Sequence, residues 1–478
     1  MMDEPVTPAG RLFLLPDLNQ IIIAAIGVSR PIDVAAIKAA MANSLIMKHP
    51  RFSSLLMTDD RGRQRWQRMN INLDDHIITR NHYKDDSASG ASESEMEDIV
   101  NEYMAEFAVS SPLSMEKPLW EVHVISDLRC LIWRVHHALG DGISLMSMFL
   151  ECCRTAADPT MRAMMAEGED RKSGGDGGGG RGEARRRNWR KKGVSGMLKL
   201  VWFTLVYVLE AIGRAMWVRD KTTVLSGGAG VQLWPRKIAT ARFSLDDMKT
   251  IKRAIPRATI NDVLFGIISC GLSKYLEVRS ESALQEGLRI TGLALVNLRK
   301  QPGLQEMSDL MKRGSKVRWG NRFGYIVLPV YYHKATADGP LSYVRTAKAM
   351  INRKKQSLEA YFSHAVGNML MSCFGPKAPY RLINRITCNT TFTFSNVLGP
   401  KEQITLIDNP VTYMRFTTSA LPHAISMSML SYKGRANMQI LAAKDIIPDP
   451  EFLARCFEDA LLQMKGAVEG NSTKPLEV

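Results

Sequence analysis

Apolar and polar positions along this chain fall into blocks of two periods, and the blocks follow one another as strands and helices. Residues 20–28, QIIIAAIGV, form a continuous apolar run of the length expected for a buried strand. Behind it, Ile37, Met41 and Leu45 recur at helical spacing between Asp33, a candidate N-cap, and Met47. A further helix is predicted over residues 94–109 with Ser94 as its cap. WEVHVI at 120–125 and CLIWRV at 130–135 read as strands, and ISLMSMFLECC as an apolar helix. The second half resumes the alternation: ARFSL leads into a helix capped by Ser244, Thr259-Ile260-Asn261-Asp262 opens a long helix to Val278, and LRITGLALVNL reads as a strand. YIVLPVYY at 325–332, a helix from Pro340, TTFTFSNV, a hairpin turning at Lys433-Gly434 and a helix from Pro450 to Lys465 complete the pattern.

Two segments break it. Residues 168–193 hold nine glycines, nine Lys or Arg and four acids, a composition that cannot build a core and reads as a flexible linker. Residues 196–218 form a long apolar helix interrupted by Lys199, Glu210 and Arg214, which at 100° per residue fall within about 60° of one another. Such a narrow stripe suits a helix lying at a membrane surface, with Trp202 and Trp217 as interfacial anchors; the alternatives are a true span, and a helix packed on the protein with its stripe outward. The organisation expected is an N-terminal domain 1–167, a linker 168–195, an amphipathic helix 196–222 and a C-terminal domain 223–478, both domains mixed α/β.

Composition adds that 478 residues at 45% hydrophobic can bury a sizeable core. The formal charge of +15 favours acidic partners, phosphates or anionic headgroups included. Basic clusters lie at Lys312, Arg313, Lys316, Arg318 and Arg322 and at Arg345, Lys348, Arg353, Lys354 and Lys355; solvated faces are the plainer reading, CoA phosphates or headgroups the functional one. Seven cysteines without CxxC spacing argue against a disulfide framework or zinc cage, and no basic, apolar leader of a secretory signal opens the chain.

The chemistry concentrates in His136-His137-Ala138-Leu139-Gly140-Asp141-Gly142, at the end of a buried strand and the start of a helix. Glycines on both sides of Asp141 permit a sharp turn that puts His137 where a pocket can reach it. A neutral imidazole can take the proton of an alcohol as it attacks an acyl carbon, and a hydroxyl needs such a base. A metal fragment is disfavoured because the seven other histidines are dispersed and no HxxxH or Cys/His cluster accompanies the pair. A buried hydrogen-bonded histidine pair is the plain alternative.

HHxxxDG resembles the active-site signature of acyltransferases with the chloramphenicol acetyltransferase-like fold. Pro118-Leu119-Trp120-Glu121, Asn261-Asp262-Val263, Val296-Asn297-Leu298-Arg299, Gly320-Asn321-Arg322-Phe323-Gly324 and Ser395-Asn396-Val397-Leu398-Gly399-Pro400 are similar to the plant form of the wax ester synthase/diacylglycerol acyltransferase family. The resemblance implies two mixed α/β domains with a tunnel at their interface. It implies acyl-CoA as co-substrate, no resident cofactor, and a fatty alcohol or diacylglycerol as acceptor, with His137 as general base. Asp141 then secures the loop, Gly142 permits backbone approach, and His136 is the lesser histidine. Asn261 and Asp262 are candidates for the tunnel or domain interface, although Thr259-x-x-Asp262 could equally be a capping box. Ser395 and Asn396 are candidates for the tunnel wall and for an oxyanion donor. A membrane surface, the cytosolic face of the endoplasmic reticulum, is the implied setting; nucleic acid is not an expected partner. The alternatives are a relative acylating other acceptors, against which stand the missing DFGWG segment and the missing carrier or adenylation regions, and a non-catalytic lipid-binding protein, which the intact motif opposes.

Overall fold

The described part of the chain opens with β1 (Glu4–Pro5) and α1 (Pro8–Phe13), which Thr7 caps by accepting from the N–H of Gly10. The computed structural model describes residues 4–81, 92–109, 112–158, 161, 163, 194–280, 284–299, 319–334 and 339–472. The apolar run then forms β2 (Ile21–Val28), buried along almost its whole length because neighbours cover both sheet faces. Asp33 caps α2 (Val34–Asn43) through the N–H groups of Ala35 and Ala36. The single helix expected to run to Met47 is broken at Ser44, whose hydroxyl turns back to the carbonyl of Met41 at 2.6 Å and whose backbone is extended. A new turn, α3 (Leu45–Lys48), follows, then β3 (Ser54–Thr58), β4 (Gln64–Arg68) and β5 (Ile77–Arg80). α4 (Glu93–Phe107) is capped by Ser92, not Ser94: Ser92 has Glu95 three residues on, and the two bond each other's N–H in a capping box. β6 (Trp120–Ile125) and β7 (Cys130–His136) are buried throughout, and α5 (Gly142–Glu151) and β8 (Cys153–Thr155) complete this half. The glycine-rich linker lies outside the described residues apart from its last two positions.

α6 (Val194–Met216) begins the second half, with β9 (Arg236–Ser244), α7 (Leu245–Ala254), α8 (Ile260–Arg279), β10 (Arg289–Asn297) and β11 (Phe323–Tyr331) after it. Three helices follow, α9 (Leu341–Lys355), α10 (Glu359–Phe374) and α11 (Lys377–Cys388), the last two not predicted from the sequence. β12 (Phe392–Leu398), β13 (Ile404–Leu406), β14 (Asn409–Thr418), the hairpin β15 (Ile425–Tyr432) and β16 (Arg435–Ala443), and α12 (Pro450–Ser472) end the chain. Lys433 and Gly434 take positive φ at the hairpin turn, as a two-residue loop requires.

Two large sheets result, each with its own apolar core. One has the order β11-β10-β12-β15-β16-β9, and the other β5-β6-β7-β2-β14-β13-β8; a small sheet, β1-β4-β3, flanks the second. β13 and β14 belong by sequence to the C-terminal half, yet β14 pairs antiparallel with β2, from Val411 against Val28 to Thr418 against Ile22, and β13 pairs with β8. A C-terminal unit 223–478 therefore does not keep all its strands to itself. Neither strand shows in the sequence, because β14 carries Pro410 and Arg415 and does not alternate.

α6 departs from expectation in the direction of its stripe. Lys199 is exposed, but Glu210 and Arg214 face the protein: Arg214 is 1% exposed and donates to Asp220 at 3.0 Å, to the carbonyl of Asn389 at 2.8 Å and to Thr291 at 2.6 Å. Glu210 accepts from Arg289 on β10. Partners on β10 and after α11 satisfy these charges better than packed apolar groups could. The apolar face therefore points outward, with Leu198, Trp202, Leu205, Leu209, Ile212 and Met216 exposed at spacings of three and four, along one side.

Candidate active site

β7 ends at His136 and α5 begins at Gly142, so the motif is the loop between them. The side chain of Asp141 caps α5 by accepting from the N–H of Ser144 at 3.0 Å. A side chain on Gly142 would bring its Cβ to 3.2 Å from Val397, a tight fit, so the absence of one lets the helix start approach β12. The backbone N–H of His137 is anchored on the carbonyl of Gln20 at 2.8 Å.

The two histidines part company here. His136 is 1% exposed, with Nδ1 accepting from the N–H of Ala138 at 3.1 Å and Nε2 against Asn19 at 3.2 Å; burial pushes its pKa down to about 3. His137 instead lines an apolar cavity of about 210 Å³ that both sheets wall, together with Trp133, Met146, Leu293 and Met427. Its ring lies against Phe13 at 4.2 Å between centroids and meets Phe323 edge-on at 6.0 Å.

Asn321 fixes the tautomer. Its Nδ2 donates to the carbonyl of His137 at 2.7 Å, and a carbonyl can only accept, so the amide oxygen must be the atom 2.9 Å from Nδ1. Nδ1 therefore carries the proton and Nε2 the lone pair. Burial lowers the pKa of His137 below the usual 6.5, against an opposing pull from Asp141 and from the Asn321 hydrogen bond. The ring is neutral at neutral pH, and a neutral imidazole with a free Nε2 lone pair can accept a proton.

The rest of the loop is clasped by the C-terminal half. Asp141 pairs with Arg299 at 2.6 Å and accepts from the N–H of Arg322 at 3.0 Å. Arg299 also donates to Ser144 at 3.0 Å and to the carbonyl of Gly320. Trp319 donates to the carbonyl of Leu139 at 2.6 Å. Gly320 turns this clasp with φ of +115°, a conformation that side chains disfavour. Asp141 thus holds the loop and does not touch the imidazole through any hydrogen bond given by the geometry.

Ser395 and Asn396 line the cavity. Asn261 and Asp262 are not among the residues that line it. Asp262 accepts from the N–H of Thr259 at 2.7 Å and closes the capping box in which Thr259 caps α8, while Asn261, exposed, accepts from Asn396 at 3.3 Å. Trp120 of the PLWE segment is a core residue whose Nε1 donates to the carbonyl of Phe52 at 2.9 Å. Lys312, Arg313, Lys316 and Arg318 lie outside the described residues. In the second basic cluster, Lys354 pairs with Glu359 at 2.8 Å. Sequence reading gave no role to Asn321, Arg299, Trp319 or Ser144; the only local signal was the run of motifs at 296–299 and 320–324, which says nothing of a partner 158 residues away.

Two sheets with a histidine loop clasped between them and an apolar cavity at the junction are the architecture of the chloramphenicol acetyltransferase-like fold. The fold matches a wax ester synthase/diacylglycerol acyltransferase from Marinobacter aquaeolei with a TM-score of 0.61 at 17% identity, covering 98% of this chain and 100% of that one. It also matches a trichothecene 15-O-acetyltransferase from Fusarium sporotrichioides, with a TM-score of 0.57 at 12% identity over 96% and 94%. The wax ester synthase/diacylglycerol acyltransferase catalytic domain matches residues 50–264 and the C-terminal domain of the same family residues 319–465. Arabidopsis thaliana wax ester synthase/diacylglycerol acyltransferase 5 is 34% identical over 98% of this chain and 94% of its own, and acyltransferase 11 is 33% identical over 100% and 97%. The chain belongs to the wax ester synthase/diacylglycerol acyltransferase family and is an acyl-CoA-dependent O-acyltransferase.

Proposed function

We propose that this enzyme transfers a fatty acyl group from acyl-CoA to a long-chain alcohol, with diacylglycerol as a second acceptor, and that His137 is the general base. The observation that carries the role of His137 is its place on the cavity wall with Nδ1 held by Asn321. Nε2 takes the hydroxyl proton of the acceptor as its oxygen attacks the thioester carbonyl carbon. Asn321 meanwhile accepts from Nδ1 and steadies the imidazolium that forms. Ser395 or Asn396, both on the cavity wall, serves in this reading as the donor to the oxyanion. Collapse of the tetrahedral adduct breaks the carbon–sulfur bond, the CoA thiolate leaves, and the imidazolium returns the proton to sulfur. Incubating the purified protein with palmitoyl-CoA and a panel of alcohols and diacylglycerol, with esters identified by mass spectrometry, tests the reading; free fatty acid as the sole acyl product overturns it.

Asn321→Ala removes a hydrogen bond to a charged ring in the transition state, worth about 1.5–3 kcal/mol, so kcat is expected to fall ~10–100-fold with KM for acyl-CoA little changed. Because the Asn321 bond favours the charged imidazole, its loss also moves the acid limb of the pH profile further down. An unmoved limb counts against this role.

The same proposal places the enzyme on a membrane surface, at the cytosolic side of the endoplasmic reticulum, attached through the outward face of α6. α6 is long and apolar enough to cross a membrane. Crossing would pull Arg214 from its buried partners, at a cost of about 3–5 kcal/mol for breaking such a pair, whereas lying on the surface costs none of it. Leu205→Asp with Leu209→Asp, both exposed positions, is expected to release a folded, active enzyme from microsomes, and carbonate is expected to extract the unaltered protein. Retention of the double variant on washed microsomes would assign the attachment elsewhere.

A further inference from the structure

A second cavity, of about 370 Å³, lies under α6. Val208, Ala211 and Ala215 of α6 roof it, α10 and α11 wall it, and β10 and β11 form its floor. Leu12, Leu293, Phe323, Tyr325 and Ile383 line both this cavity and that of His137, so these side chains are the partition between them. Asn321, which holds His137, also lines the second cavity. Ile212, Met216 and Phe362 belong to its lining and are at the same time exposed, so its rim merges with the outward apolar face of α6.

We infer that this cavity seats the alkyl chain of the acceptor, which enters sideways from the lipid surface beneath α6. The inference rests on the reading that the acceptor is a membrane-dissolved long-chain alcohol or diacylglycerol. Among the described residues no Lys, Arg, Asp or Glu lines the cavity, so these walls offer nothing to the phosphates of CoA, which need cationic partners. A neutral lipid has no such need. Its chain gains from apolar walls, and its hydroxyl alone has to pass the partition to reach His137. Acyl-CoA, charged and water-borne, then comes to His137 through the first cavity, and the two substrates do not compete for one mouth.

Gly367, midway along α10, lines the cavity, and a Cβ built on it meets no atom within 4 Å. Gly367→Phe can therefore fold and fill the space. With palmitoyl-CoA held constant, kcat/KM for hexadecanol is expected to fall about tenfold or more while that for butanol stays within about twofold. The dependence on acyl-CoA chain length should not change. Ala211→Phe, entering from the roof, should give the same pattern, and melting curves of both variants establish that they are folded. An unaltered hexadecanol rate overturns the inference. So does a loss that follows the length of the acyl-CoA, which would give the cavity to the donor, or an equal loss with every substrate in a folded protein. If the unsubstituted enzyme makes no ester from either alcohol, the functional reading fails instead.

Discussion

His137→Ala is expected to reduce ester formation by about 10²–10⁴-fold, the usual contribution of a positioned general base, in a protein that still folds. The side chain is buried against Phe13, so its truncation also leaves a small void, and the melting temperature has to be compared. His137→Gln fills more of that space and is expected to be equally inactive with a smaller change in melting. The unsubstituted enzyme should show an acid limb in kcat/KM below 6.5, because burial lowers the pKa of His137 and the base form is kept until the pH falls through that lowered value. Ester formation near the normal rate by either folded variant sinks the mechanism, and a limb above 6.5 contradicts the stated environment of the ring.

Arg299→Ala is expected to be the most destabilising single change in the site, by about 3–5 kcal/mol, since it leaves the carboxylate of Asp141 buried without its cation. The pair is 2.6 Å long with side chains 3% and 9% exposed, and Arg299 also serves Ser144 and Gly320. Activity should fall with stability, because the loop carrying His137 loses its clasp. Asp141→Asn alone removes the charge but keeps the cap oxygen and should cost less. In a double-mutant cycle with urea melts, the two changes together should cost clearly less than their sum. Additive costs would show that the pair is not the clasp described.

The sequence held much of this in local patterns. β7, buried along its whole length, announces itself as an apolar run, β15 shows through the hairpin turn that follows it, and Asp33, Ser244 and Thr259 cap the helices assigned to them. That His137 would reach a cavity and that Asp141 would hold its loop could be read because HHxxxDG is contiguous and resembles a known signature. What stayed hidden was long-range. Asn321 meets His137 across 184 residues, and no local pattern states which amide will face which ring. The stripe on α6 was visible, but the side it faces is set by Thr291, Asp220 and Asn389, none of them on the helix. Asp262 was open between two roles in the sequence, and of these the structure shows the capping box, in which Thr259 and Asp262 satisfy each other's N–H.

The loan of β14 to the sheet of β2 also orders events during synthesis. β2, an apolar strand, has β7 on one side and β14 on the other. Until residue 418 has left the ribosome, one edge of β2 has no partner, and an open apolar edge is a template for pairing with other chains. At ~5–20 residues per second the wait from β2 to β14 lasts roughly 20–80 s. Nascent chains stalled or cut in the glycine-rich linker should therefore aggregate and not accumulate as a soluble half, and the enzyme's yield in a cell should depend on chaperones that shield this edge during translation.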